Sequence, residues 1–310
     1  MAKKIIFMGT PIFAVQILKS LHENQFPISV VYTQPPQKSH RGQKTNKSAV
    51  QQTSEKLNID FRSPFSLKNN NDEYKFLKNL NADLALVVAF GQIIPKEFLN
   101  LTKKGFINIH ASILPKWRGA APIQRSIMNL DNETGISIMK IVEELDKGPV
   151  CNTYKIKINN SQNTKDVSER LSFLAAEKIL DNLNDILEDK AKFIEQDHAQ
   201  ATYAKKIDKK EGQINWNNKA SEIIGIINGL TPSPGAYFNF KGERYKIIKC
   251  KIGNGIGAIG EVISNDLEIA CSNKESVKIL EIQRQGKKSQ KISEFMLGSQ
   301  IKKGSIISNV

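Results

Sequence analysis

The chain is short of cysteine, of arginine and of uninterrupted apolar runs, and each shortage removes a class of protein. Only three cysteines occur (Cys151, Cys250 and Cys271), an odd number with no close pair. That usage supports neither a disulfide framework nor a zinc site, and it reads as a reduced, intracellular chain. The longest clean apolar stretch, Leu84 to Phe90, has seven residues, where a membrane span needs about 20. A short apolar run after Lys3 and Lys4 is broken by Gly9, Thr10 and Pro11, too early for a signal peptide. A cytoplasmic protein without a membrane partner is expected. The 310 residues are 40% hydrophobic and 25% charged, which excludes disordered and collagen-like classes and suggests two domains.

Acidic residues are the minority charge, 31 against 45 Lys+Arg, leaving +14. Seven of the basic residues are Arg and 38 are Lys, in a chain also rich in Ile and Asn. A bias toward AT-rich codons accounts for that bulk equally well, so position matters more than total. Residues 205–310 hold 18 basic and 10 acidic residues, net +8, against net +6 over the first 204. A second cluster, Lys38, Arg41, Lys44 and Lys47, contains no acid among its neighbours from Gln34 to Val50. Both patches suit a polyanion, because each phosphate contact releases counterions.

Strand and helix patterns alternate through the first half. Strand-like runs are Lys4 to Met8, Ile28 to Tyr32, Leu84 to Phe90, Gly105 to His110 and Gly135 to Val142. Helical spacing marks Phe13 to Leu21, Ala49 to Leu57, Asp72 to Leu80, Ala121 to Leu130 and, beyond a strand at Val150 to Ile158, Lys165 to Leu187. This alternation predicts a doubly wound, mostly parallel α/β sheet, a Rossmann-like domain, with the continuous run at Leu84 as a central strand. Residues 1–188 form the expected first domain, polar residues 189–210 a linker, and 211–310 a second domain. There, one helix (Ala220 to Asn228) precedes short strands at Tyr237 to Phe240, Arg244 to Lys249, Ile259 to Ile263, Leu267 to Ala270 and Val277 to Ile282. Short strands at that spacing suggest a small barrel of the oligonucleotide-binding (OB) type.

Chemistry concentrates in Asn108-Ile109-His110-Ala111-Ser112-Ile113-Leu114-Pro115 and its continuation Lys116-Trp117-Arg118-Gly119-Ala120-Ala121-Pro122. Asn108 and His110 stand two apart at a strand end, so both project from one face. Ligands of open α/β sheets sit just beyond such strand ends. An amide and an imidazole there can donate to an oxyanion and accept a proton. A second strand end supplies Asp146, before Lys147-Gly148-Pro149, as the carboxylate that would orient the imidazole. Asp146 also reads as an ordinary turn-opening residue, and Glu143 and Glu144 compete with it. Gly9-Thr10-Pro11 lacks the G-x-G-x-x-G fingerprint, which disfavours a dehydrogenase. No metal-ligand cluster is present.

These strings, with Leu145-Asp146-Lys147-Gly148 at a set distance, resemble the formyltetrahydrofolate-using formyltransferases. The Trp117-Arg118-Gly119 extension resembles the branch that formylates methionyl initiator tRNA. So do Phe7 to Pro11, Arg41-Gly42-Gln43-Lys44, Val87 to Gly91 and Thr202 to Ile207. The resemblance implies formyl transfer from 10-formyltetrahydrofolate, without a metal, by a monomer. It implies that Asn108, His110 and Asp146 are catalytic. It implies folate contacts from Phe90, Gly91, Ile93, Ser112, Ile113, Leu114, Pro115 and Glu143. Initiator methionyl-tRNA would meet Arg41, Lys44, Lys206 and Lys209. The chain departs from the family at Ile12, where relatives carry Asp, at Ser233, where they carry Trp, and at Ser48-Ala49-Val50, where they carry Ser-Pro-Val. Relatives acting on glycinamide ribonucleotide match only the first two-thirds, and sugar-nucleotide relatives usually lack the Trp. A non-catalytic RNA-binding protein would have lost one of the three polar residues.

Overall fold

Ile5–Gly9 and Leu84–Val88 are buried along their whole lengths, which is why their sequences are apolar at every position and not at alternate ones. They are neighbouring strands in a computed structural model that describes residues 3–38 and 45–308. The chain runs through β1 (Ile5–Gly9), α1 (Ile12–Glu23), β2 (Ile28–Tyr32), α2 (Ala49–Lys56), β3 (Phe61–Arg62), α3 (Asn71–Leu80), β4 (Leu84–Val88) and β5 (Phe106–His110). It continues through α4 (Pro122–Met128), β6 (Glu133–Lys140), β7 (Val150–Lys157) and α5 (Thr164–Leu187). Contacts divide the chain into two units: Met1–Gly119 with Gly135–Ile156 and Ser168–Tyr203, then Ala120–Thr134 with Lys157–Val167 and Ala204–Val310.

In the first unit the sheet order is β7-β6-β5-β4-β1-β2-β3. The pairs from β3 through β5 are parallel, and β6 joins β5 antiparallel. Alternate residues of β1 serve opposite faces: Ile6 and Met8 pack in a cluster with Leu77 of α3. α1 and α5 are stitched together where Ser172 Oγ donates to the Phe13 carbonyl at 2.7 Å and Ser20 Oγ to that of Ala176 at 2.9 Å. Crossovers of this kind bring the carboxyl ends of β1, β4 and β5 to one rim of the sheet. Residues 189–203 also belong to this unit. Their polar composition reads as a linker, yet Ile194 pairs with Val150 in both backbone directions, at 2.8 and 2.9 Å. Among the described residues no helix is long and apolar enough to cross a membrane.

The second unit contains α6 (Ala220–Leu230), β8 (Ala236–Phe240), β9 (Glu243–Ile252), β10 (Glu268–Ala270), β11 (Ser276–Arg284), β12 (Ser289–Lys291) and α7 (Ile292–Leu297). Its strands form an antiparallel sheet in the order β8-β9-β11-β10, with β12 also on β11. No pair closes that sheet into a barrel among the described residues. The strand expected at Ile259 to Ile263 is reduced to isolated bridges, Glu261 to Ile306 and Val262 to Ile269. Trp216, Phe238, Ile247, Ile279 and Ile282 fill the core, and Phe238 stacks on Tyr245 at 5.5 Å. α4 lies against α6, where a side chain on Gly229 would come within 2.5 Å of Met128.

A buried carboxylate fastens the far edge of the first sheet. Glu73 of α3 accepts from Arg62 Nε and Nη2 (2.7 and 2.9 Å) and from the Tyr32 hydroxyl (2.6 Å). Burial first, and then Glu73, push the Tyr32 hydroxyl well above its ordinary range. Removing Glu73 strands a guanidinium and a phenol together. We expect Glu73→Ala to cost about 2 kcal/mol or more, toward the low end for a broken ion pair because Arg62 reaches solvent. Urea unfolding checks it, and a midpoint equal to the parent's would contradict this role.

Candidate active site

β5 delivers both polar residues of the central motif to the sheet rim. His110, its last residue, is 6% exposed, and Asn108 is half-buried two positions earlier. Asn108 pairs in register with Val87 of β4, and His110 with Ser137 of β6. The Asn108 amide has no hydrogen-bond partner among the described residues, so its N–H groups stay available to a ligand. That suits an oxyanion donor.

Beyond His110 the chain folds back on itself. Ser137 Oγ, fully buried on β6, donates to the Ser112 carbonyl at 2.8 Å and accepts from the Leu114 N–H at 3.1 Å. Ser112 Oγ donates to the Lys116 carbonyl at 2.6 Å. The turn ends at Trp117, whose φ of +61° places it in the left-handed region and whose carbonyl lies 2.9 Å from His110 Nε2. A carbonyl only accepts, so Nε2 carries the proton of that contact. His110 Nδ1 is then the basic nitrogen of the neutral ring.

Asp146 faces that nitrogen. Its Oδ2 lies 3.7 Å from His110 Nδ1, with the two side chains 7% and 14% exposed. The distance exceeds a hydrogen bond, as expected between a bare Nδ1 and a carboxylate oxygen, which both only accept; Oδ2 instead accepts from the Gly119 N–H at 2.8 Å. Asp146 therefore acts on the imidazole through charge, and the Trp117 carbonyl orients the ring. This differs from the direct Asp-to-His hydrogen bond that triad logic leads one to expect. The loop bearing Asp146 closes tightly on β6: Lys140 N–H donates to the Pro149 carbonyl at 2.9 Å, and any side chain on Gly148 would meet the Lys140 carbonyl at 2.0 Å.

The other expected site residues are spread around this centre. Phe90 is buried with its ring in the sheet core, and its carbonyl accepts from Thr10 Oγ1 at 2.7 Å. Gly91 adopts φ +81°, and its carbonyl accepts from Gln34 Nε2 at 2.7 Å. Ile93 is 88% exposed. Ser112 and Leu114 are buried and spent on the turn, while Ile113 and Pro115 are half-buried. Glu143 is exposed and pairs with Lys96 at 2.6 Å, which raises the Lys96 ammonium above its ordinary range. Glu143 and Lys96 border a cleft of about 570 Å³ with Leu99, Phe106, Ile141 and Phe193 on its walls. That cleft lies at the opening of β5, and Asn108, His110 and Asp146 are not among the residues that line it. Arg41 and Lys44 lie outside the described residues. Lys206 and Lys209 are exposed on the second unit. Burial pushes the thiols of Cys151 and Cys271 up to about 11 and that of Cys250 to about 12, so none is a thiolate at neutral pH.

Sequence reasoning missed the groups that hold the centre: the Trp117 carbonyl, the Gly119 N–H, and Gln196 with Arg118. Trp-Arg-Gly stood out only as a string, since backbone contacts leave no side-chain signature. Gln196 sits in a polar stretch where nothing distinguished it.

The fold that carries this centre is shared with known proteins. Residues 3–183 match the formyl transferase family, and residues 206–300 match the formyl transferase C-terminal domain. The fold resembles that of a sugar 3N-formyl transferase, WlaRD, solved with dTDP and 5-N-formyl-THF (TM-score 0.70, 20% identity, 93% of this chain and 100% of that one). It also resembles HypX from Aquifex aeolicus in complex with tetrahydrofolic acid (TM-score 0.67, 14% identity, 96% of this chain and 47% of that one). The chain is thus a formyltransferase. Over all 310 residues it is 66% identical to the methionyl-tRNA formyltransferase of Pelagibacter ubique, covering 100% of both chains. It is 40% identical to that of Jannaschia sp. over 98% of this chain and 99% of the other. It belongs to the methionyl-tRNA formyltransferases.

Ser137 is the residue on which the turn beside His110 hangs. We expect Ser137→Ala to leave the Ser112 carbonyl and Leu114 N–H unpaired and to lower stability by about 1–3 kcal/mol. Thermal unfolding checks this, and a loss below about 0.5 kcal/mol, the scatter of neutral substitutions, would show the turn to be held elsewhere.

Proposed function

We propose that this enzyme transfers the formyl group of 10-formyltetrahydrofolate to the α-amino group of methionyl initiator tRNA. The products are N-formylmethionyl-tRNA and tetrahydrofolate, for translation initiation in the cytoplasm. The observation that carries the reading is the full-length likeness to methionyl-tRNA formyltransferases at 66% identity. The geometry of Asn108, His110 and Asp146 supports the chemistry.

The amine nitrogen attacks the formyl carbon, and the carbonyl pair moves onto oxygen. Asn108, with its amide unengaged, donates to that oxyanion, an interaction worth about 10²–10³-fold in rate. His110 takes the proton of the attacking amine at Nδ1, its basic position, while Nε2 stays bonded to the Trp117 carbonyl. The imidazolium formed then faces Asp146 Oδ2 at 3.7 Å, where the carboxylate stabilises it. When the carbon–nitrogen bond to the folate breaks, its electron pair returns to that nitrogen and His110 delivers the proton there. Atoms and charge balance, and Asp146 stays ionised throughout.

Phe90 to Ile93 and Ser112 to Pro115 supply backbone and wall contacts around the formyl end. For the tRNA, the Arg41–Lys44 loop and the basic second domain, with Lys206 and Lys209, contribute phosphate contacts. Arg41 adds a fork able to read paired acceptors. One polypeptide carries the whole site, so a monomer suffices.

We expect His110→Ala and Asp146→Asn to lower kcat by about 10²–10⁴-fold with tRNA affinity nearly unchanged. Arg41→Ala should weaken tRNA binding and flatten its salt dependence by about one phosphate contact. Parallel assays with methionyl initiator tRNA, methionyl elongator tRNA and an amino-sugar nucleotide test the substrate. Transfer to the sugar nucleotide alone would overturn the tRNA reading and keep the catalytic centre.

A further inference from the structure

Arg118 is 1% exposed, one of the two largest side chains buried below 2% among the described residues. A buried guanidinium requires partners, and it finds them on residues that composition reads as linker. Its Nε and Nη2 donate to Gln196 Oε1 at 3.1 and 2.7 Å, and Nη2 also donates to His198 Nδ1 at 2.9 Å. Arg118 has no acceptor, so its fork fixes which end of the Gln196 amide faces it. The Nε2 end must then point the other way. It donates to the Asp146 carbonyl at 2.8 Å and to the Gly148 carbonyl at 2.7 Å. Both donors of one amide are therefore spent on the loop that carries the carboxylate.

Three consecutive residues address one centre. The Trp117 carbonyl holds His110 Nε2, the Arg118 side chain holds Gln196, and the Gly119 N–H holds Asp146 Oδ2. Asp146 itself sits at φ +51°, a left-handed conformation uncommon for residues other than glycine, which surrounding contacts must sustain. Since the carboxylate makes no hydrogen bond to the imidazole, its 3.7 Å separation depends on the contacts that hold this loop and the ring.

We propose that Gln196, oriented by Arg118, is a positioning residue for the reaction: it fixes Asp146 at the distance from which its charge acts on His110. The inference rests on the catalytic reading of His110 and Asp146. The hydrogen bonds of the Gln196 side chain go to Arg118 and to the Asp146 loop and none to the imidazole, so its effect travels through the loop. His198 supports Arg118 from the far side and is exposed.

The test is a double-mutant cycle with formylation kinetics of the full-length enzyme on methionyl initiator tRNA. Gln196→Glu keeps an acceptor for Arg118 and removes both donors to the Asp146 loop. Gln196→Ala removes the side chain at a half-buried position that is not part of the core. Each should lower kcat by about 10²-fold, the usual penalty for a misplacement near 1 Å, with KM for both substrates nearly unchanged. In an Asp146→Asn background the same substitutions should cost about twofold or less, because residues that act as one unit are not additive. Equal losses in both backgrounds, or a loss confined to KM or to the unfolding midpoint, would make Gln196 a structural residue and overturn the inference. Normal turnover in Asp146→Asn alone would instead remove the catalytic reading. Normal turnover in both Gln196 variants beside an impaired Asp146→Asn would overturn only the positioning role.

Discussion

The contact between His110 Nε2 and the Trp117 carbonyl decides what the rest of the site can do. At 2.9 Å it is an ordinary hydrogen bond, but a carbonyl cannot donate, so it settles where the neutral imidazole keeps its proton. Nδ1 becomes basic, and it is the nitrogen that faces Asp146. Several contacts near the site keep that carbonyl and that carboxylate in place. Ser137 ties down the turn that ends at Trp117. Gly119 and Gln196 tie down Asp146.

On the proposed catalytic reading, the spacing of His110 and Asp146 has a physical rationale. A direct Asp-to-His hydrogen bond on the proton-accepting nitrogen would protonate it in advance and block it as a base. Holding the carboxylate just outside hydrogen-bond distance leaves Nδ1 free, yet keeps a negative charge ready for the imidazolium. Low exposure of both side chains, 7% and 14%, makes that charge effective, since less water intervenes. The arrangement costs conformational strain at Asp146 and Trp117, both at positive φ, and several hydrogen bonds sustain it. Strain near a reacting centre is common where surrounding contacts fix the backbone.

Much of this was legible in the residues themselves. Leu84 to Phe90 announced a strand buried on both faces, and the two-residue spacing of Asn108 and His110 placed both on one face at a strand end. Asp146 stood after a strand as one of three candidate carboxylates, beside Glu143 and Glu144, and neither its distance nor its backbone partner was legible. Gln196 could not be found, because a Gln among Glu195, Asp197 and His198 looks like solvated chain until Arg118 is placed beside it. The two-residue strand at Phe61 was too short to show a period. Ile259 to Ile263 looked like a strand, but its residues pair singly with Ile306 and Ile269 in place of a ladder. Local pattern records burial well and records backbone and distant partners poorly, and the unread parts of this site are of those two kinds.

The most direct test is the tautomer of His110. The chain has four histidines, His22, His40, His110 and His198, so nitrogen-15 NMR of histidine-labelled enzyme resolves them, with His110→Gln assigning the signal. In the neutral ring we expect the proton on Nε2 and a bare Nδ1, in free enzyme and with tetrahydrofolate bound. A neutral His110 protonated at Nδ1 would contradict this. The Trp117 carbonyl would then not govern the ring, and Asp146 would be its hydrogen-bond partner after all.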